Sequence, residues 1–198
     1  MKSNLMKRIL SICFSAFVLV SCQKEVSLEP GLGGGGTGGG GGGTGGGGSY
    51  YLRAKVEGTL KNFNNIATFQ VVQYVPGQYS INIYGGVNST SLEGLAMVIN
   101  FDAGVTPTAG TYSEDAQGTD YILGGVYNPN SQTITWNAGF NPTSVLPLEI
   151  KITSLDSKEA KGTFKGAFYF QDLNNPGVPP GPDYKTITEG EFFLKVTK

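Results

Sequence analysis

The chain has 198 residues, with 14 Lys+Arg, 15 Asp+Glu, 31 glycines, two cysteines and no histidine. The missing histidine removes the commonest general base and metal ligand, and it excludes Ser-His-Asp and Cys-His catalysis. Both cysteines precede residue 50, and from Cys22 onward 11 cations face 15 anions, a net charge of −4; later disulfides, thiolate metal sites and a basic stripe for nucleic acid are thereby excluded.

In chain order, Lys2, Lys7 and Arg8 lead into the largely apolar run Ile9–Val20, and small Ser21 precedes Cys22. This is the layout of a signal peptide over residues 1–21. Its 12-residue apolar run is too short for a bilayer span, which takes about 20. Leu19-Val20-Ser21-Cys22 resembles the lipobox of bacterial lipoproteins. That resemblance implies cleavage before Cys22, a diacylglycerol on its thiol, commonly an acyl chain such as palmitate on its amine, and membrane attachment through lipid. Residues 22–49 follow as a lipidated start and linker. Within them, 31–48 hold 15 glycines interrupted by Leu32, Thr37 and Thr44, a composition that buries nothing and predicts a disordered tether.

Residues 50–198 read as one all-β domain. Tyr79, Ile81 and Ile83 alternate with polar neighbours, as do Leu148, Ile150 and Ile152; Phe164, Phe168 and Phe170; and Phe192, Leu194 and Val196. Period two of this kind marks half-buried antiparallel strands. Turn signals at Pro76-Gly77, Gly85-Gly86, Asn128-Pro129-Asn130 and Asp156-Ser157-Lys158 separate the runs. About nine strands are predicted, at 51–57, 66–75, 79–85, 93–101, 119–127, 132–138, 146–154, 161–171 and 185–197. They form an antiparallel β-sandwich or a closed β-barrel, which periodicity does not separate.

Several stretches across 50–198 resemble a family of small lipoproteins of unknown function found in Bacteroidota: Ala54-Lys55-Val56-Glu57-Gly58 with Phe63, Gly110-Thr111-Tyr112, Leu148–Phe164, and Ile187-Thr188-Glu189-Gly190-Glu191-Phe192. Gln23-Lys24-Glu25 is similar to the Lys-plus-acid signal that sends such lipoproteins to the outer face of the outer membrane. The resemblance implies a surface-exposed outer-membrane location and brings no catalytic residues.

Function is therefore sought in a noncatalytic domain without a cofactor. Paired carboxylates would have to come from Asp102, Glu114, Asp115, Asp120, Glu189 and Glu191, which read as turn or outward positions where nothing raises a pKa. The acidic stretch Tyr112–Asp120 could hold calcium but lacks EF-hand spacing, and a solvated loop is the simpler reading. Trp136, the lone tryptophan, shares its strand face with Ile134 and is assigned to the core. Tyr84, Tyr169 and Phe193 fall opposite the apolar positions of their runs, so they are the candidate ligand-binding residues. The proline-bearing loop Asp172–Tyr184 reads as a crossover. The expected function is a surface module binding a glycan or small extracellular ligand; the alternative is an assembly partner of another envelope protein. An outward aromatic cleft would favour the first, and a flat patch or long free edge the second.

Overall fold

Alternation of apolar and polar side chains becomes sheet throughout residues 50–116, 118, 120–139, 144–175 and 182–198, which the computed structural model describes. Eleven strands appear, in order β1 (Tyr51–Val56), β2 (Thr59–Asn62), β3 (Asn65–Val75), β4 (Gln78–Gly86), β5 (Gly94–Phe101), β6 (Gly110–Ser113), β7 (Tyr121–Asn128), β8 (Ile134–Ala138), β9 (Glu149–Leu155), β10 (Glu159–Asp172) and β11 (Tyr184–Thr197). All nine predicted strands are present. The two additional ones, β2 and β6, have four residues each, too few for a period to register. Gly85-Gly86 is not a turn but the end of β4. There the absent Cβ of Gly85 makes room for the Phe63 carbonyl oxygen, which would lie 2.0 Å from it. The expected signal peptide, the expected lipid site Cys22 and the expected tether at 31–48 lie outside the described residues.

The fold is all-β: one eleven-stranded sheet whose pairing closes into a ring, β11-β3-β4-β5-β7-β8-β10 and back to β11. β1 with β2 branches from β11, and β9 with β6 branches from β10. The described residues belong to one compact unit spanning 49–198. The pairing is antiparallel except at β11–β3, where Val196 and Thr197 run parallel to Phe69 and Gln70. That contact corrects the all-antiparallel expectation, and ring closure requires it.

β10 and β11 are the hub. One edge of β10 pairs with β9 through Ala160–Lys165 and then with β8 through Tyr169–Asp172, while the other edge follows β11. Side chains inside the ring form the core: Phe69, Ile81, Ile83, Leu95, Ile99, Leu123, Phe168, Phe192 and Leu194 are buried, with the Phe69 and Phe192 rings 5.8 Å apart. Burying each such side chain stabilises by roughly 1.5–3 kcal/mol.

One bulge changes which side chains point inward. Between Ile187 and Gly190, β11 holds one residue more than β10 opposite it, and the same shift appears against β1. Glu189 takes φ 48° there, the left-handed region that costs a non-glycine residue roughly 1–2 kcal/mol. Beyond the bulge the even positions Phe192, Leu194 and Val196 are buried; before it the buried position is odd, Ile187.

Candidate functional site

The three candidate residues from the sequence do not assemble into one platform. Tyr169 is 5% exposed, which corrects its assignment to the surface. Strand alternation does set it opposite Phe168, but chain segment 144–146 covers that face. The Val145 N–H donates to the Tyr169 hydroxyl at 3.0 Å, and that hydroxyl lies 3.4 Å from Ser144 Oγ. Phe193 is half-buried on the outer face, where Lys161 Nζ sits 4.4 Å over its ring and the Tyr50 ring is 5.0 Å away. Both contacts occupy ring surface that a ligand would need.

Tyr84 is half-buried on the outer face of β3, β4, β5 and β7. Cross-strand partners build three rungs there: Thr68–Tyr84–Ala96–Val126, Gln70–Asn82–Val98–Gly124 and Val72–Ser80–Asn100–Ile122. None of the twelve is charged. Ser80 and Asn82 lie so low between taller neighbours that they are 0% and 6% exposed. The outer face of β1, β11 and β10 is different, with Arg53 Nη2 2.7 Å from Glu191 Oε2 and Lys55 Nζ 2.8 Å from Glu189 Oε1.

Of the acids in the 112–120 stretch, Glu114 serves structure. Glu114 is buried rather than solvated; its backbone N–H donates to the Leu148 carbonyl at 2.8 Å, and its carboxylate accepts from the Leu148 N–H at 2.9 Å. Among the described residues no three potential ligands gather for a metal ion. Residues 117 and 119 of the acidic loop, and 176–181 of the proline-bearing loop, lie outside them.

Among the described residues, the strongest constellation is one end of the ring, where the inward side chains pass from buried to half-buried. Along β8 the inward positions go from buried Ala138 to half-buried Trp136, along β10 from Phe168 to Phe170, and along β11 from Ile187 to Lys185. Tyr127, Trp136 and Phe170 are successive cross-strand partners and form one inward rung. Trp136 thus packs, half-buried, against the core, and the Phe170 ring meets it edge-on at 5.5 Å while Lys185 Nζ lies 4.8 Å from its ring centroid. Its Nε1 is buried without a hydrogen-bond partner among the described residues, which typically costs about 1–3 kcal/mol.

Beside this rung, Glu93 continues the inward positions of β5. Its Oε1 accepts from the Tyr127 hydroxyl at 2.6 Å and from Lys61 Nζ of β2. The Phe63 ring meets Tyr127 edge-on at 6.4 Å. Burial and the hydrogen bond to Glu93 push the Tyr127 phenol well above the usual tyrosine range. Burial alone would raise Glu93, but its bonds from Lys61 and Tyr127 outweigh that and hold its carboxyl below the ordinary range.

The signs give a testable pH profile. Glu93, lowered in the fold, contributes stability above about pH 4.5 that is lost as pH falls through its folded value; Tyr127, raised, contributes stability below about pH 10 that is lost as pH rises toward its displaced value. Ultraviolet titration should therefore show a tyrosine that resists ionisation beyond its fellows. In Glu93→Gln one tyrosine should ionise at lower pH than before; an unchanged curve would refute the assignment.

Lys61, Glu93, Tyr127 and Lys185 were not singled out by sequence, and Phe170 was read only as an apolar position of its strand. The available signal was Trp136, the lone tryptophan of the chain, but its partners come from four other strands and one loop position. Comparison with protein-family models, with curated proteins and with solved structures finds no match for the chain.

Proposed function

We propose that this chain is an envelope lipoprotein, held by lipid on Cys22, whose β-domain is a noncatalytic module for a glycan or other small extracellular ligand. The observation that carries the reading is the end of the ring where the Tyr127–Trp136–Phe170 rung meets Lys185 and Glu93. Mouths of closed or nearly closed sheets, lined by aromatics with a few convergent polar groups, are common ligand sites. The absence of histidine from the chain, and of cysteine beyond Cys22, supports binding over catalysis. The resemblance to surface lipoproteins of Bacteroidota supports an outer-membrane location, with the tether giving the domain reach.

Two experiments test this. Cys22→Ala should abolish acylation and release the chain from the membrane fraction; intact-mass spectrometry of the mature wild-type chain without a lipid adduct would refute the anchor. On an array of extracellular glycans the wild-type chain should give signals that Trp136→Ala removes while its circular dichroism stays that of a folded sheet. An array on which wild type and variant behave alike would refute the module.

The uncharged rungs of β3, β4, β5 and β7 favour a second reading, assembly with another envelope protein through a flat face. Val98→Glu would then abolish co-purification of the partner and leave the array signals intact. The edges offer less at β2 and β6, the two ends of the sheet order with four residues each, than at β3, which pairs with β11 only through Phe69 and Gln70 of its eleven residues.

A further inference from the structure

Among the described residues, this end of the ring has donors without matching acceptors. Of the three acids at this end, Glu93 and Asp172 are already engaged, and Asp183, whose carbonyl accepts from the Phe170 N–H at 2.9 Å, is exposed and makes no ion pair with Lys185. Glu93 Oε1 receives Lys61 and the Tyr127 hydroxyl. Asp172, the next inward step of β10 after Phe170, accepts from the Asn174 N–H at 2.8 Å and from Asn175 Nδ2 at 3.2 Å, within its own turn. Lys185 is different. It pairs across the sheet with buried Phe168 and so points inward, and among the described residues its ammonium has the Trp136 ring at 4.8 Å and no carboxylate within ion-pair distance. Trp136 Nε1, itself buried, is the second donor without a hydrogen-bond partner among the described residues.

An indole N–H and an ammonium beside the same ring call for an acceptor that serves both. A hydroxyl offers one oxygen and no charge. A carboxylate offers two oxygens and the charge that an unpaired ammonium at a half-buried site most favours, since charge-assisted hydrogen bonds are roughly twice as strong as neutral ones. The rest of the site suits a hydroxylated ring. Phe170, half-buried, supplies apolar surface for ring C–H groups, and Glu93 keeps Oε2 as an acceptor for a hydroxyl. We infer that the ligand taken up here is an acidic sugar, its carboxylate bound by Lys185 Nζ and Trp136 Nε1 and its ring laid toward Phe170 and Glu93. The inference rests on the binding-module reading above and narrows it to uronic-acid chemistry.

Because Trp136 is the one tryptophan of the chain, a single indole N–H cross-peak in the ¹H–¹⁵N spectrum of the full mature lipoprotein in detergent reports this site directly. Methyl glucuronide should shift that peak saturably, and methyl glucoside, which differs by the carboxylate, should bind at least tenfold more weakly. Lys185→Gln should bring glucuronide down to the level of glucoside, while Lys185→Arg, which keeps the charge, should retain most of the preference. Equal affinity for the two sugars, or a preference that survives Lys185→Gln, would overturn the acidic-sugar inference and leave the module standing. An indole peak that neither sugar moves, together with an unresponsive glycan array, would overturn both.

Discussion

Phe168→Ala should destabilise the domain by about 3–5 kcal/mol, the range for a fully buried phenylalanine. At roughly 2–4 °C per kcal/mol for a domain of this size, thermal unfolding should fall by about 10 °C. The reason is its position. Phe168 lies inside the ring on β10, fully buried, and its ring fits against Gly125 of β7, where a Cβ would stand 2.9 Å from the ring edge. Truncation therefore opens a cavity between β10 and β7, with Leu148 as its other near neighbour. Tyr169→Ala, next along the strand, should also cost several kcal/mol, because it removes a buried ring and orphans the Val145 N–H. Tyr84→Ala, on the outer face, should cost about 1 kcal/mol or less. Thermal or denaturant melts of the three variants check the pattern, and a Tyr169→Ala variant as stable as Tyr84→Ala would contradict the burial described.

Gly85→Ala should be among the most damaging single methyl additions in the chain. A Cβ at Gly85 would lie 2.0 Å from the Phe63 carbonyl oxygen and 3.1 Å from Leu52 Cδ2. Neither can move freely, since the Phe63 N–H is itself tied to the Leu52 carbonyl at 2.7 Å. Elsewhere in a strand Gly→Ala is mildly favourable through the unfolded chain; here overpacking should cost about 3 kcal/mol. The neighbouring Gly86 has its nearest contact at 3.6 Å, so Gly86→Ala is the matched control and should change stability by less than about 1 kcal/mol. Because Phe63 rests on Tyr127, Gly85→Ala should also lower the pH at which Tyr127 ionises and disturb the Trp136 signal. If Gly85→Ala and Gly86→Ala melt alike, the close approach of Phe63 is refuted.

Much of the architecture was legible because it follows from local rules. Alternation identified nine strands and the inward residues of most of them, including Ile81, Ile83, Phe168, Phe192 and Leu194, because a sheet with one buried face imposes period two wherever it is regular. The short β2 and β6 were not legible, nor was the parallel β11–β3 contact, because pairing partners leave no mark on a strand's own sequence.

The candidate site divides the same way. Residue chemistry along the chain determined what this protein lacks, since no arrangement of the fold can supply an imidazole or a domain thiol. It also determined the lipobox resemblance, which resides in four adjacent residues. What only tertiary structure decided is which polar and aromatic groups meet. Tyr169 obeyed its strand phase, yet segment 144–146 closed over it, a contact 24 residues away in the chain. Lys185 shows the opposite failure. A straight period two places it with Glu189, Glu191 and Lys195 on the polar face of β11, but the extra residue near Glu189 reverses the phase and turns it inward, onto Trp136. Side-chain direction in a strand depends on every residue between it and the nearest bulge, and a bulge is set by the fit of neighbouring strands rather than by the local sequence.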